Sequence, residues 1–180
     1  MIVVCPLSRL FETLADSGAR RVVTLLARDQ QAAVPPLLGI DRLVLDLSDI
    51  AEPQAGHTLA GEAHMAELLS FARAWDRSHP LLVHCYAGVS RSTAAAFAVA
   101  CALDPLAEPS DIAARLRAAS PSATPNPRLV ALADAALHRD GAMIEAIRAI
   151  GRGRDCFEGE VFRIEVPALR SADQTPAYQA

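Results

Sequence analysis

Residues 81–92 read LLVHCYAGVSRS and carry more structural information than any other stretch of the chain. The apolar run Leu81–His84 predicts a buried strand, a turn follows it, and a helix is predicted to begin near Ser90 or Arg91. Cys85 therefore stands at the carboxyl end of a strand, close to the N-terminus of a helix. Successive backbone N–H groups in such a turn can form an anion-binding nest at the positive end of the helix dipole.

This turn has the chemistry of a site for a tetrahedral oxyanion. Gly88 lets the backbone turn tightly, and Arg91 adds a planar fork that can bind two phosphate oxygens. The same positive field favours the thiolate form of Cys85, which makes its sulfur a nucleophile. The hydroxyls of Ser90 and Ser92 are expected to hydrogen-bond that sulfur. The residues predicted to bind the anion are Tyr86, Ala87, Gly88, Val89, Ser90 and Arg91.

Outside this stretch, short apolar runs alternate with segments of helical periodicity. Because strands that alternate with helices form parallel sheets, the pattern predicts an α/β fold with a mainly parallel central sheet flanked by helices. The predicted strands are Ile2–Cys5, Val22–Leu26, Leu43–Leu47 and Leu81–His84. The predicted helices cover residues 6–18, 59–77, 93–103, 110–119, 128–138 and 142–150.

Length and composition predict one globular domain over residues 1–170 and a frayed tail over 171–180. The 180 residues are 52% hydrophobic and carry a net charge of −4, and no run of basic residues stands out. Nucleic acid and membrane surfaces are therefore not expected as partners. The four cysteines lack C-x-x-C spacing, and the first residues lack a basic, signal-like segment, so a reducing compartment, most simply the cytoplasm, is expected.

The motif His84-Cys85-x-x-Gly88-x-Ser90-Arg91-Ser92 resembles the signature loop of the cysteine-dependent protein tyrosine phosphatases, in the form typical of the dual-specificity branch. The resemblance extends over about residues 20–140. It includes an acidic residue beyond an upstream strand, an apolar helix after the loop, and a segment, residues 120–126, that ends in Pro-Asn. It implies the dual-specificity phosphatase fold and hydrolysis of a phosphomonoester through a cysteinyl-phosphate.

The resemblance also implies roles for individual residues and no need for a metal or another cofactor. Cys85 is the nucleophile and Arg91 binds the phosphoryl oxygens, while the hydroxyls of Ser90 and Ser92 are expected to lie close enough to Cys85 to stabilise the departing thiolate. A carboxylic acid protonates the leaving oxygen and then activates water. Three acids are candidates, Asp49, Asp46 and Glu52. Asp49 is favoured because it follows the strand in a loop, although it lies 36 residues before Cys85, a few more than the family pattern suggests.

Other functions stay open at this point. A lipid or small-molecule phosphatase shares the fold, but the variable loop positions Tyr86, Ala87 and Val89 add no positive charge, so a phosphoprotein, with phosphotyrosine first, is favoured. A non-catalytic phosphate-binding module would be expected to lose Cys85 or Arg91, and both are present. Sulfur or arsenate chemistry also uses cysteine in anion-binding loops, but the serines and the upstream acid favour phosphoryl transfer.

A few other side chains could act as ligands or auxiliary groups. Cys5 could be a resolving thiol for Cys85, although a buried structural cysteine is commoner, and Cys101 is expected in the core. His84 is expected to support the loop from the opposite face of its strand. Asn126 is expected to cap a helix, and the resemblance implies that it also orders the rim of the site. The spacing of His57, Glu62 and His64 matches no metal-ligand pattern. These side chains are therefore predicted to lie on a solvated loop and helix face.

Overall fold

The computed structural model describes residues 1–168 and contains one five-stranded sheet. Its strands lie in the order β3-β2-β4-β1-β5. The first four pair in parallel, and β5 pairs with β1 antiparallel. The strands are β1 (Ile2–Pro6), β2 (Arg21–Leu26), β3 (Asp41–Asp46), β4 (Leu81–Cys85) and β5 (Phe162–Ile164). The predicted mainly parallel α/β sheet is confirmed, and the predicted tail over 171–180 lies outside the described residues.

Seven α-helices accompany the sheet in the described part of the chain. They are α1 (Leu10–Ser17), α2 (Arg28–Gln31), α3 (Glu62–Arg73), α4 (Arg91–Leu103), α5 (Pro109–Ala119), α6 (Pro127–Ala136) and α7 (Ala142–Ile150). Over the same residues, no helix is long and apolar enough to cross a membrane.

The sheet separates two hydrophobic cores. On one face, Leu10 of α1 packs with Val3 and Leu82, and on the other face helices α3 to α7 share the larger core. The helix α4 lies at the centre of the larger core, where every one of its residues except Ala102 is buried. Small alanine side chains let this helix pack closely on its neighbours, and Phe97 fills the space that they leave. The position of α4 therefore holds the start of the helix, next to Cys85, rigidly.

Several predicted bounds of helices and strands differ from those in the structure. The helix predicted over 59–77 spans only Glu62–Arg73, because the chain leaves the helix so that Trp75 can be buried and donate from Nε1 to the carbonyl of His79. Pro6 ends β1 instead of opening a helix, and a single 3-10 turn, Leu7–Arg9, separates it from α1. Helices were expected to close the domain, but the chain returns to the sheet as β5.

Candidate active site

The loop between β4 and α4, residues 86–90, surrounds the sulfur of Cys85. The backbone N–H of Gly88 donates to Cys85 Sγ at 3.3 Å, and Ser92 Oγ lies 3.2 Å from the same atom. Gly88 has a φ of +71°, and a Cβ there would lie 2.8 Å from the backbone nitrogen of Pro6. Glycine is therefore required at this position both for its conformation and for the close approach of β1.

Four of the five carbonyl groups of this loop are bound by other parts of the chain. Tyr86 O accepts from Leu7 N at 3.0 Å, and Ala87 O accepts from Gly159 N at 2.8 Å. Two further carbonyls accept from the segment before α6: Val89 O from Thr124 N at 2.9 Å, and Ser90 O from Asn126 N at 3.3 Å.

The N–H groups of the same peptides point the other way, because N–H and C=O lie on opposite sides of a trans peptide. The Gly88 N–H meets Cys85 Sγ. Among residues 1–168, no acceptor is hydrogen-bonded to the N–H groups of Ala87, Val89, Ser90 or Arg91. The loop thus presents donors on the side away from the segments that hold its carbonyls, which is the arrangement of an anion-binding nest.

Arg91 is the first residue of α4, and only 4% of its surface is exposed. Its Nη1 donates to the carbonyl of Leu47 at 3.1 Å and approaches Gln30 Oε1 at 3.5 Å. Its buried Nε has no hydrogen-bond partner. Asp49 Oδ2 lies 3.7 Å from Nε, beyond hydrogen-bond distance, so a buried donor of this guanidinium remains for an anionic ligand.

Asp49 lies beside the loop and is held by two donors. Ser90 Oγ donates to Asp49 Oδ1 at 2.7 Å, and Asn126 Nδ2 donates to the same oxygen at 2.9 Å. The other oxygen, Oδ2, lies 3.7 Å from Arg91 Nε. Because two donors occupy Oδ1, Oδ2, which is paired with Arg91 but not hydrogen-bonded to it, is the oxygen left to exchange a proton with a ligand.

The other two candidate acids are placed differently. Asp46 ends β3 and its Oδ2 lies 3.5 Å from Nε of Arg28, while its buried Oδ1 has no partner. Glu52 is exposed and has no hydrogen bond or ion pair within the described chain. Of the three candidates, the structure brings Asp49 to the signature loop. It also separates the two serines, since Ser92 meets the sulfur and the Ser90 hydroxyl bonds to Asp49 instead.

His84 lies on the opposite side of β4 from Cys85, as predicted from strand alternation. Its Nε2 is 2.8 Å from Thr24 Oγ1, which also accepts from Nε of Arg42 at 2.9 Å. Burial, together with the charge of Arg42, lowers the pKa of His84 to about 4. The imidazole is therefore neutral at physiological pH and acts as a support for β4.

Cys5 does not face the nucleophile. It pairs in register with His84 and belongs to the core on the far side of the sheet from Cys85. Burial raises the pKa of the Cys5 thiol to about 12, so the thiolate needed for disulfide exchange is scarce. The idea that Cys5 is a resolving thiol therefore has no geometric support. Cys101 is buried in α4, as expected.

The two histidines weighed as metal ligands, His57 and His64, have separate surroundings. His57 Nδ1 is 3.3 Å from Ser48 Oγ, and His64 Nδ1 accepts from the N–H of Gly61 at the start of α3. Asn126 caps α6 by accepting from Arg128 N and Leu129 N, while its amide nitrogen reaches Asp49. The expectation that it both caps a helix and orders the rim is therefore confirmed.

A cavity of about 510 Å³ opens beside Arg91 and Asp49. Its wall includes three side chains that sequence reasoning did not assign to the site: Arg28, Gln30 and His57. The sequence pattern could have assigned Arg28 and Gln30 to the site. Parallel strands β2 and β4 are neighbours, so residues that follow β2 lie at the same edge of the sheet as Cys85.

No protein-family model matches this chain, and no curated protein matches it. Solved structures do. DUSP15 is 19% identical with a TM-score of 0.59, covering 82% of this chain and 88% of its own. PTPMT1 is 16% identical with a TM-score of 0.59, covering 83% and 92%. The human tyrosine phosphatase-like serine/threonine/tyrosine-interacting protein is 18% identical with a TM-score of 0.61, covering 76% and 91%.

These likenesses confirm the fold that the signature motif implied, that of the dual-specificity branch of the cysteine-dependent protein tyrosine phosphatases. One of the three is described as phosphatase-like, so the fold alone does not specify catalysis. The argument for an activity rests on the side chains and backbone groups around Cys85.

Proposed function

We propose that the protein is a phosphomonoester hydrolase of the dual-specificity type that acts through a cysteinyl-phosphate. The observation that carries the proposal is the loop of residues 86–90, four of whose carbonyls are bound by other segments while the Gly88 N–H meets Cys85 Sγ. A phosphoryl group bound to this loop would contact the nucleophile Cys85, the backbone amide donors and the buried Arg91. Such preorganised donors stabilise the charge that builds up on the equatorial oxygens.

In the first step, the Cys85 thiolate attacks phosphorus and the bond from phosphorus to the leaving oxygen breaks. The proton on Asp49 Oδ2 passes to that oxygen, so the leaving group departs as a neutral alcohol or phenol. Ser90 and Asn126 hold the carboxyl group through Oδ1 and leave Oδ2 directed at the site.

In the second step, the Asp49 carboxylate takes a proton from water, and the water oxygen attacks the phosphorus of the cysteinyl-phosphate. The sulfur–phosphorus bond breaks, inorganic phosphate is formed, and the sulfur returns as a thiolate. The Ser92 hydroxyl, 3.2 Å from Sγ, can donate to the thiolate as it leaves. Arg91 and the loop amides bind the phosphoryl oxygens in both steps, and no metal is needed for this sequence.

The test is turnover of an aryl phosphate in EDTA by the wild-type protein, by Cys85→Ser and by Cys156→Ser. Cys156 is exposed, so its variant is a matched control for replacing a thiol. We expect Cys85→Ser to lose at least about 10³ in kcat, the scale of removing a covalent nucleophile, and Cys156→Ser to retain full activity. Retained activity in Cys85→Ser would refute the mechanism. Vanadate binding without any turnover by the wild type would indicate a phosphate-binding module.

The cavity beside Arg91 supports a second candidate for the substrate. The favoured substrate is phosphotyrosine in a protein, but Arg28 lines this cavity together with Arg91, alongside the carboxylates of Asp29 and Asp49. The tertiary structure thus brings one arginine from outside the signature loop to this cavity, and its guanidinium suits a second anionic group on a small phosphomonoester. PTPMT1, one protein of this fold, has been solved in complex with PI(5)P.

Comparison of a phosphotyrosine peptide with an inositol bisphosphate distinguishes these substrates. If the second candidate holds, Arg28→Ala lowers kcat/KM for the bisphosphate by about tenfold, as expected for one charge-assisted contact, and leaves the peptide unaffected. If the phosphoprotein candidate holds, the peptide has the higher kcat/KM and Arg28→Ala does not change the order.

A further inference from the structure

Between α7 and β5 the chain runs along the outer side of the signature loop. We call residues 151–160 the strap. Its backbone is bound at both ends: near the start, Arg154 N donates to Pro121 O at 2.9 Å and Gly153 N donates to Thr124 Oγ1 at 3.1 Å. Near the end, Gly159 N donates to Ala87 O at 2.8 Å. The strap therefore connects the segment before α6 with the loop around Cys85.

Close packing accompanies these hydrogen bonds. A Cβ on Gly159 would lie 3.0 Å from the carbonyl oxygen of Gly88 and 3.3 Å from Val89 Cγ2. A Cβ on Gly153 would lie 2.4 Å from the carbonyl of Ser122. At Gly153 a side chain would force the backbone of Ser122 to shift, and at Gly159 a side chain would require Gly88 or Val89 to move by a few tenths of an ångström.

The peptide between Ala87 and Gly88 is the part of the loop that most needs such a restraint. Gly88 has no Cβ, so the barrier to rotating this peptide is low compared with its neighbours. Its carbonyl is bound by Gly159, and its N–H is the group that meets Cys85 Sγ. Because the two groups point in opposite directions, a bond that holds the carbonyl outward also holds the N–H on the sulfur.

We propose that the strap is a positioning element of the active site and that Gly159 is its positioning residue. Gly159 binds the carbonyl of one loop peptide and packs against the carbonyl of the next, so it sets the direction of the N–H groups of Gly88 and Val89. The strap thereby stabilises the loop in the conformation that binds a phosphoryl group. This inference rests on the proposed function, since its readouts are those of a phosphate-binding thiolate site.

The test is Gly159→Ala, measured against Phe157→Ala. Phe157 belongs to the strap but is 91% exposed, so its variant controls for a change in the strap that leaves the loop untouched. We expect Gly159→Ala to lower kcat/KM for an aryl phosphate about tenfold, the scale of one misplaced hydrogen bond. The inhibition constant of vanadate should rise by a similar factor, and alkylation of Cys85 by iodoacetate, followed in a Cys156→Ser background, should slow. Phe157→Ala should match the wild type.

A merely structural role for the strap would lower the melting temperature without changing the vanadate constant or the alkylation rate of the folded protein. That result, or wild-type values of all three readouts in Gly159→Ala, would overturn the inference. If Gly159→Ala does not fold, Glu158→Ala replaces it. The exposed Glu158 anchors the strap by accepting from Ser8 Oγ at 2.7 Å. Its loss should give a smaller change in the same direction, and wild-type values there would also overturn the inference.

These outcomes are distinct from failure of the proposed function. If the wild type does not hydrolyse the aryl phosphate, or if Cys85→Ser does, the proposed function itself is wrong. If Cys85→Ser is inactive and Gly159→Ala equals the wild type, only the role of the strap is wrong.

Discussion

Arg91 carries a permanent charge and is nevertheless almost completely buried at the start of α4. One nitrogen, Nη1, donates to the carbonyl of Leu47, which aligns the plane of the guanidinium with the end of β3. Its Nε lies 3.7 Å from Asp49 Oδ2 and has no hydrogen-bond partner. Arg91 therefore contributes the planar geometry of its guanidinium to the site in addition to its charge.

Replacement of Arg91 by lysine tests that statement. An ammonium group keeps the charge but cannot reproduce two parallel hydrogen bonds to phosphate oxygens. We expect Arg91→Lys to lower kcat/KM for an aryl phosphate by at least about 10², consistent with losing a transition-state donor, and to weaken inhibition by vanadate. Retention of most of kcat/KM would show that charge alone suffices and that the proposed anion geometry is wrong.

A second prediction concerns the general acid and compares Asp49 with Asp46. Only Asp49 is held beside the signature loop, so Asp49→Asn should lower kcat by about 10²–10⁴ for a phenol-like leaving group. The loss should be small for a leaving group acidic enough to depart unprotonated. Asp46→Asn is the matched control. The measurement is kcat against leaving-group pKa, and a steeper dependence for Asp46→Asn than for Asp49→Asn would move the general acid to Asp46.

At the scale of elements, the helices on the larger core are joined by buried polar contacts that cap them. Asn126 caps α6 through Arg128 N and Leu129 N and also binds Asp49. Asp134, near the end of α6, caps the start of α7. Its Oδ2 accepts from Gly141 N at 2.7 Å and its Oδ1 from Met143 N at 2.9 Å, and only 6% of its surface is exposed. One carboxylate thus satisfies two donors at the start of α7.

Removal of this carboxylate should affect stability and leave the chemistry alone. Asp134→Ala leaves two backbone donors near a buried helix end without partners, which should lower the free energy of unfolding by about 2–3 kcal/mol. Urea denaturation measures the change, and kcat of the folded protein should equal that of the wild type. Glu145→Ala is the control, because its ion pair with Arg148 is exposed and should contribute little. Equal losses in the two variants would contradict the capping role.

At the scale of the whole molecule, the sheet separates the side that carries Cys85 from a supporting side. Cys85 faces the larger core, and the neighbouring His84 faces the smaller one, where Thr24 and Arg42 surround it. Because the imidazole is buried beside a positive charge, the folded protein resists its protonation. Global stability and the support of β4 therefore depend on the same neutral side chain.

This coupling predicts how stability changes with pH. The pKa of His84 is lowered from 6.5 to about 4 in the folded state, so the unfolded chain binds a proton at pH values where the folded protein does not. Stability is then complete above pH 6.5 and falls as the pH decreases toward 4. Between pH 7.5 and pH 5 the free energy of unfolding should fall by about 2 kcal/mol from this residue.

Urea denaturation at the two pH values measures this loss, and His84→Gln provides the comparison. The variant should lose less stability than the wild type over the same interval, whatever its absolute stability, because the titrating group is gone. Equal losses in wild type and variant would assign the pH dependence to other groups.

Local features of this protein could be predicted from the sequence. The strand, turn and helix of residues 81–92 were identified because apolar runs, a glycine with positive φ and a helix start depend on near neighbours in the chain. Alternation in β4 correctly separated the faces of Cys85 and His84. The position of Asp49 just beyond β3 distinguished it from Asp46, which the strand holds.

The tertiary structure alone decided which distant groups complete the loop. Leu7, Thr124 and Gly159 bind its carbonyls through backbone N–H groups, which every residue except proline possesses and which leave no mark in the sequence. The pairing of β5 with β1, which brings the strap to the loop, depends on a short three-residue strand that has too little pattern to be predicted. Helix and strand signals are local in the chain, whereas the partners of a loop carbonyl are set by the packing of segments far apart in sequence.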